Sequence, residues 1–222
     1  SINKNTLFQA GSITKSFTSM IILKLESQGK LSIDDSITRY LPQYTQWQNV
    51  SIRQLLNHTS GIPNYTNTAQ FNRIRKETPQ QGFTPDQLVR MAGSHGLFSP
   101  GHGWKYSNTN YVLAGMIIEK ISGRPLNAIM HEYLHNNPQV NLMNTYYYTG
   151  LYPNSYLSRM AHGYNSSGLD VTSQDISWAH AAGAIVTTSE DLLSWWYDLM
   201  TGSILPQPQL QEMMSLVCEG RT

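Results

Sequence analysis

The stretch "NYVLAGMIIEKI", residues 110 to 121, is an almost wholly apolar run at helical spacing, closed by Gly123. A helix with so little polar surface reads as a buried element. The chain has 222 residues, 40% of them apolar, which is enough for a sizeable core. Its one cysteine, Cys218, allows no internal disulfide and argues against a zinc–thiolate site.

Further helices are placed by their punctuation. Ile13, Phe17, Met20, Ile21 and Leu25 recur at helical spacing over residues 13 to 28, with Gly29 as C-cap. Ser51 caps a short helix through "IRQLLN", and Thr84 with Pro85 starts "PDQLVRMA". Pro125 opens a helix that Pro138 stops, "SEDLLSWWYDLM" is capped by Thr188 or Ser189, and "QPQLQEMMSLV" is the last. Trp195 and Trp196, spaced with Leu192 and Leu199, are expected in the core. Residues 5 to 10 and 184 to 187 read as short strands, and residues 144 to 170 as loop with a short hairpin. The result is a mainly helical chain with few strands. Fifteen basic residues face 14 acidic ones, and no basic run suggests nucleic acid. No apolar run reaches membrane-spanning length; "MIILKL" is interrupted at Lys24. Ser1 is not a natural translation start, so the chain reads as trimmed.

A serine followed three residues later by lysine occurs three times, at Ser1, Ser12 and Ser27. This is the pattern of serine enzymes whose proton acceptor is a lysine. Ser27 lies in the last turn of its helix, and Gly29 separates it from Lys30. Ser12 follows Gly11, where the chain can turn sharply, and opens a long apolar helix. Residues i and i+3 share a helix face, so Lys15 sits one turn above Ser12. Apolar neighbours bury the lysine stem, and burial favours the neutral amine that can accept the serine proton. The plain alternative makes Ser12 a helix cap and Lys15 a surface charge. A second proton-transferring group is also needed. Tyrosine followed two residues later by asparagine occurs at Tyr65, Tyr106 and Tyr152. Of these, Tyr106 alone stands directly before the long apolar helix, where a rigid element can position it.

Four stretches, in order, resemble the class C β-lactamase and D-alanyl-D-alanine carboxypeptidase group of serine hydrolases. They are "LFQAGSITKSFTS", "SIRQLLNHTSGIPNY", "FSPGHGWKYSNTNYVLAGMIIEKISG" and "AAGAIVTTSEDLLSW". The resemblance implies an α+β fold, an antiparallel sheet flanked by helices plus an all-helical region. It makes Ser12 the acylated nucleophile, Lys15 its proton partner, Tyr106 the general base and acid, and Asn108 a hydrogen-bond partner of the substrate amide. "HTSGIP", residues 58 to 63, is expected to be a turn that supports the site. The implied substrates are D-Ala-D-Ala stem peptides, β-lactams or related esters, in a periplasmic or secreted bacterial protein with no cofactor and no metal.

The family's third motif, a lysine or histidine followed two residues later by glycine on a strand, does not occur. In the family that strand supplies one oxyanion donor, the other being the serine N–H. The chain therefore reads as one domain, residues 1 to 222, lacking outer strands of its sheet. Helices around Met20, Val112 and Trp195 are then expected to present an exposed apolar face, leaving the chain poorly stable, inactive or dimeric. Two other readings compete. "HEYLH", residues 131 to 135, matches a zinc metalloprotease pattern with His131 and His135 as ligands and Glu132 as base, but lacks a third ligand and a strand scaffold. A homologue that binds muropeptides or partners without turnover would also fit the missing motif. "TYYYTGLY", residues 145 to 152, suits either sugar stacking or loop packing. No G-x-S-x-G elbow or phosphate-binding loop occurs.

Overall fold

A computed structural model describes residues 2–140 and 142–217; Ser1 and Cys218 lie outside the described residues. The helices are α1 (Thr14–Ser27), α2 (Ile52–Leu56), α3 (Ala69–Glu77), α4 (Pro85–Met91), α5 (Asn108–Ser122), α6 (Leu126–His135), α7 (Asn154–Leu157), α8 (His180–Gly183), α9 (Ser189–Met200) and α10 (Gln207–Met213). Three short strands, β1 (Phe8–Gln9), β2 (Tyr146–Tyr147) and β3 (Ile185–Thr187), form an antiparallel sheet in the order β1-β3-β2. Phe8 pairs with Thr187 and Gln9 with Val186; Tyr146 pairs with Val186 and Tyr147 with Ile185.

The punctuation holds at the helix ends. Ser51 with Gln54, and Thr84 with Gln87, form reciprocal capping boxes on α2 and α4. Thr188 caps α9 by accepting from Asp191 N–H, and Gly123 ends α5 in the left-handed conformation. The long apolar segment is the central helix α5, which begins two residues earlier than the sequence suggests, with Thr109 to Gly115 and Ile117 to Ile118 all buried. Helix α1 is buried on nearly as many sides, from Thr14 and Lys15 through Leu25. Gly115 is what lets α8 lie against α5. A Cβ there would stand 2.7 Å from Ala181 Cβ and 3.0 Å from His180 Cε1.

The structure corrects some expectations and refines others. Trp195 is fully buried and stacks on Phe17, but Trp196 is 37% exposed. The helix turn that points Trp195 and Leu199 inward carries Leu193, Trp196, Tyr197 and Met200 outward. Met20, Val112 and Trp195 are themselves each 0% exposed, so the apolar face left open on α9 is that of Leu193, Trp196, Tyr197 and Met200. The segment 144 to 170 does hold a short hairpin turn, with Tyr164 bridging Asp170 antiparallel and Asn165 N–H donating to the Leu169 carbonyl, while β2 joins the sheet through β3, its partner from far along the chain. Helix α3, capped by Thr68, went unread because only Phe71 and Ile74 give its polar sequence a helical period.

Candidate active site

Ser12 does not begin α1. It sits one step before it, in a 3-10 turn of Gly11–Ile13 that Gly11 enters with φ +51°. Neither helix N-terminus there receives a side-chain cap, so the Ser12 hydroxyl is not a capping group. The hydroxyl faces solvent on one side and two reactive groups on the other. Ser12 Oγ lies 2.6 Å from the Tyr106 hydroxyl and accepts from Lys15 Nζ at 3.1 Å.

Lys15 is 7% exposed. Besides Ser12 Oγ, its Nζ donates to Asn108 Oδ1 and to the Ala182 carbonyl, each at 2.8 Å. The ammonium stands 4.9 Å from the Tyr106 ring centroid and 5.3 Å from that of Tyr111. Burial pushes the Lys15 amine down to about 7, close to neutral pH. Three stretches far apart in sequence thus meet at one amine: 12 to 15, 106 to 111, and 182.

Each stretch is held from outside. Thr14 Oγ1 accepts from Ile185 N–H at 3.1 Å, and Thr18 Oγ1 donates to the Ala181 carbonyl at 2.8 Å. Thr18 thus ties α8 to α1 and Thr14 ties the start of β3 to it, on either side of the Ala182 carbonyl that accepts from Lys15. Asn64 Oδ1 accepts from Asn108 N–H at 3.2 Å, doing for α5 what its own preceding serine does not. Ser107 and Thr109 instead both donate their hydroxyls to the Pro63 carbonyl. The turn at residues 58 to 63 is a template for the Tyr106 loop. Three loop N–H groups, from Leu97, Gly101 and Lys105, donate to the carbonyls of Gly61, Thr59 and His58 at 2.8, 2.8 and 3.0 Å.

The other copies of each pattern go elsewhere. Ser27 Oγ donates to the Lys24 carbonyl, one turn back. Tyr65 is buried and donates to the Trp178 carbonyl. Tyr152 is buried in the small cluster under the sheet, with Leu7, Met160 and Val186. On α6, the His131 and His135 rings pack at a tilt with centroids 4.7 Å apart, and Glu132 pairs with Arg124. Among the described residues no group of three or more His, Cys, Asp or Glu side chains gathers to hold a metal. An open cavity of about 1000 Å³ lies elsewhere, lined by Asn5, Thr6, Arg159, Met160 and His162. It touches none of Ser12, Lys15, Tyr106 or Asn108, whereas a smaller cavity of about 220 Å³ reaches Lys15 and Tyr111.

Sequence reasoning did not find the Ala182 carbonyl, because a backbone acceptor leaves no mark in residue type. It read residues 58 to 63 as a supporting turn without assigning His58 a contact. His58 Nδ1 in fact accepts from Ser107 N–H at 3.3 Å, beside the tyrosine.

The fold is that of the β-lactamase-type serine hydrolases. The chain belongs to the Beta-lactamase family, whose model matches residues 1–222. It is 42% identical over 122 residues to penicillin-binding protein 4* of Bacillus subtilis, a match covering 55% of this chain and 27% of that one. Two solved structures align over nearly the whole chain. A D-stereospecific amidohydrolase from Streptomyces sp. has a TM-score of 0.86 and 34% identity, covering 96% of this chain and 66% of that one. The D-amino acid amidase of Ochrobactrum anthropi SV3 has a TM-score of 0.78 and 32% identity, covering 94% and 61%. The chain spans about half or less of the length of the first curated relatives it matches. Among the described residues no helix is long and apolar enough to cross a membrane.

Proposed function

We propose that the protein hydrolyses amide or ester bonds through an acyl-enzyme on Ser12, with an acyl donor of D configuration. D-amino acid amides, D-Ala-D-Ala peptides and β-lactams all fall in that class. The observation that carries this reading is the convergence of Lys15 Nζ and the Tyr106 hydroxyl on one exposed serine oxygen. The two amidases among the structural relatives support the D-amino acid side of it. The bacterial relatives and this substrate class support a periplasmic or secreted location.

The hydrogen bonds at Lys15 suggest how the proton moves. An ammonium has three donors, and three acceptors surround it. A neutral amine has two donors and one lone pair. The Ala182 carbonyl and Asn108 Oδ1 can only accept, so they keep the two N–H groups. The lone pair is left facing Ser12, the one partner of the three that can donate. Burial makes that neutral form accessible near pH 7. As Ser12 Oγ attacks the carbonyl carbon, its proton passes to Lys15. Tyr106 then gives its hydroxyl proton to the departing nitrogen or oxygen, and Lys15 returns a proton to Tyr106. Water attacks the acyl-enzyme by the reverse relay, with Tyr106 taking its proton. Ser12 N–H, at the start of a helical turn, offers one donor to the oxyanion. Asn108 Nδ2 lies 3.4 Å from Thr66 Oγ1 and is the donor we assign to the substrate amide carbonyl.

The test is a hydrolysis panel with the full-length protein: the amides of D- and L-phenylalanine, a D-Ala-D-Ala peptide, a p-nitrophenyl ester and a chromogenic β-lactam. Turnover of D-configured donors over their L counterparts, lost in Ser12→Ala, is expected. Turnover that survives Ser12→Ala, or a preference for the L amide, contradicts the proposal.

A further inference from the structure

We propose that His58 is the positioning residue for Tyr106, gripping the backbone on both sides of the tyrosine and backing its ring. This rests on the reading above that Tyr106 transfers a proton in the reaction. Tyr106 belongs to a loop, and a loop by itself does not hold a phenol hydroxyl 2.6 Å from a serine oxygen.

His58 touches three successive residues. Its carbonyl accepts from Lys105 N–H at 3.0 Å. Its Nδ1 accepts from Ser107 N–H at 3.3 Å and lies 3.4 Å from Asn110 Nδ2. Its ring packs on that of Tyr106 between them, with centroids 4.6 Å apart. Carbonyl and Nδ1 can both face the 105–107 backbone because His58 adopts φ +65°, the left-handed region that few side-chain-bearing residues enter. Such an outlier persists only where the surroundings enforce it. Here they include Tyr111, 5.4 Å away ring to ring, and Trp104 at 6.0 Å.

The contacts also fix the chemistry of the ring. Two N–H groups aim at Nδ1, so that nitrogen carries the lone pair and the proton resides on Nε2. A protonated imidazole would have to break the Ser107 bond. Burial and the neighbouring Lys15 charge both oppose it, pushing His58 down to about 4. At neutral pH the residue is therefore a fixed neutral acceptor, with no part in moving protons.

Asparagine separates the two contributions, because it tolerates the left-handed region and its Oδ1 can replace Nδ1 as acceptor. Phenylalanine keeps a ring and loses the acceptor. The measurement is the rate of acylation by a fluorescent penicillin, taken in the full-length protein together with thermal midpoints. His58→Ala is expected to slow acylation about 10- to 100-fold, the scale of an ångström-sized misplacement. His58→Asn should recover much of that loss and His58→Phe less. The decisive arm is the background: in Tyr106→Phe, His58→Ala should cause little further loss. A general structural role would slow both backgrounds equally, and that multiplicative result overturns the proposal. So does His58→Phe matching or exceeding His58→Asn, an arm that stands even if His58→Ala does not fold. If Tyr106→Phe itself has no effect, the reading of Tyr106 fails instead, and the two failures are told apart.

Discussion

Two segments of this molecule carry short patterns of the same kind, reactive side chains three or four residues apart on one helical face. Around Ser12 and Lys15, the pattern is completed by groups from residues 106, 108 and 182, and the lysine is buried. Around His131 and His135, the two rings lean on each other and the intervening Glu132 is taken by Arg124, eight residues back. The local geometry is equally good in both. What separates them is what arrives from a distance: three long-range partners at one, and among the described residues no third metal-type ligand at the other. A spacing on a helix is a half-site. The tertiary fold decides whether the other half is delivered.

The largest effect that sharpens this contrast is at the proposed nucleophile. Ser12→Ala should abolish turnover of a D-amino acid amide, while Ser27→Ala, whose hydroxyl only bonds back to its own helix, should leave it unchanged. Loss of activity in Ser27→Ala would erase the distinction between the copies.

The relay comes next. Lys15→Ala and Tyr106→Phe should each slow acylation by about 10²- to 10⁴-fold, the scale of a positioned proton-transfer group. The double variant should be little worse than either single one, because both serve one proton path. Losses that multiply would argue for separate roles.

How much of this could be read in the chain follows the same division. The Ser12–Lys15 pair is local, but its spacing recurs at Ser1 and Ser27, and it took Gly11, the apolar helix that follows and the family resemblance to single it out. Tyr106 had two rivals, and only its position before an apolar helix favoured it over Tyr65 and Tyr152. The Ala182 carbonyl and the three backbone bonds from residues 58–61 to the loop at 97–105 were illegible, since every residue type offers a carbonyl. In the fold, elements with strong punctuation were legible: two capping boxes, a terminal glycine and the apolar α5. Helix α3 was lost for want of apolar period, and Trp196 was misplaced because adjacent tryptophans on a helix point about 100° apart.

A smaller effect concerns pH. Acylation should rise with pH through about 7 as Lys15 loses its proton, because the neutral amine is the competent form. The same group acts on stability. Its folded value, about 7, is below the ordinary 10.5, so the unfolded chain binds more protons between those values and stability rises with pH across that window. Lys15→Met removes a burden on the order of a few kcal/mol below neutral pH and leaves acceptors unpaired at every pH. The thermal midpoint of Lys15→Met minus wild type should therefore be more favourable at pH about 6 than at pH about 10. The opposite slope would mean that Lys15 is not buried as a strained cation.

The smallest effect is the one expected at α6. His131→Ala, or a chelator, should change neither acylation nor turnover. Zinc bound in stoichiometric amount and lost in His131→Ala would promote that segment from half-site to site.

The central claim is that Ser12 is the oxygen that becomes acylated, and intact-protein mass spectrometry after exposure to a penicillin tests it directly. One adduct of the penicillin's mass is predicted, mapping after proteolysis to the peptide that contains Ser12 and absent in Ser12→Ala. An adduct that persists in Ser12→Ala, or that maps to another serine, would contradict the account.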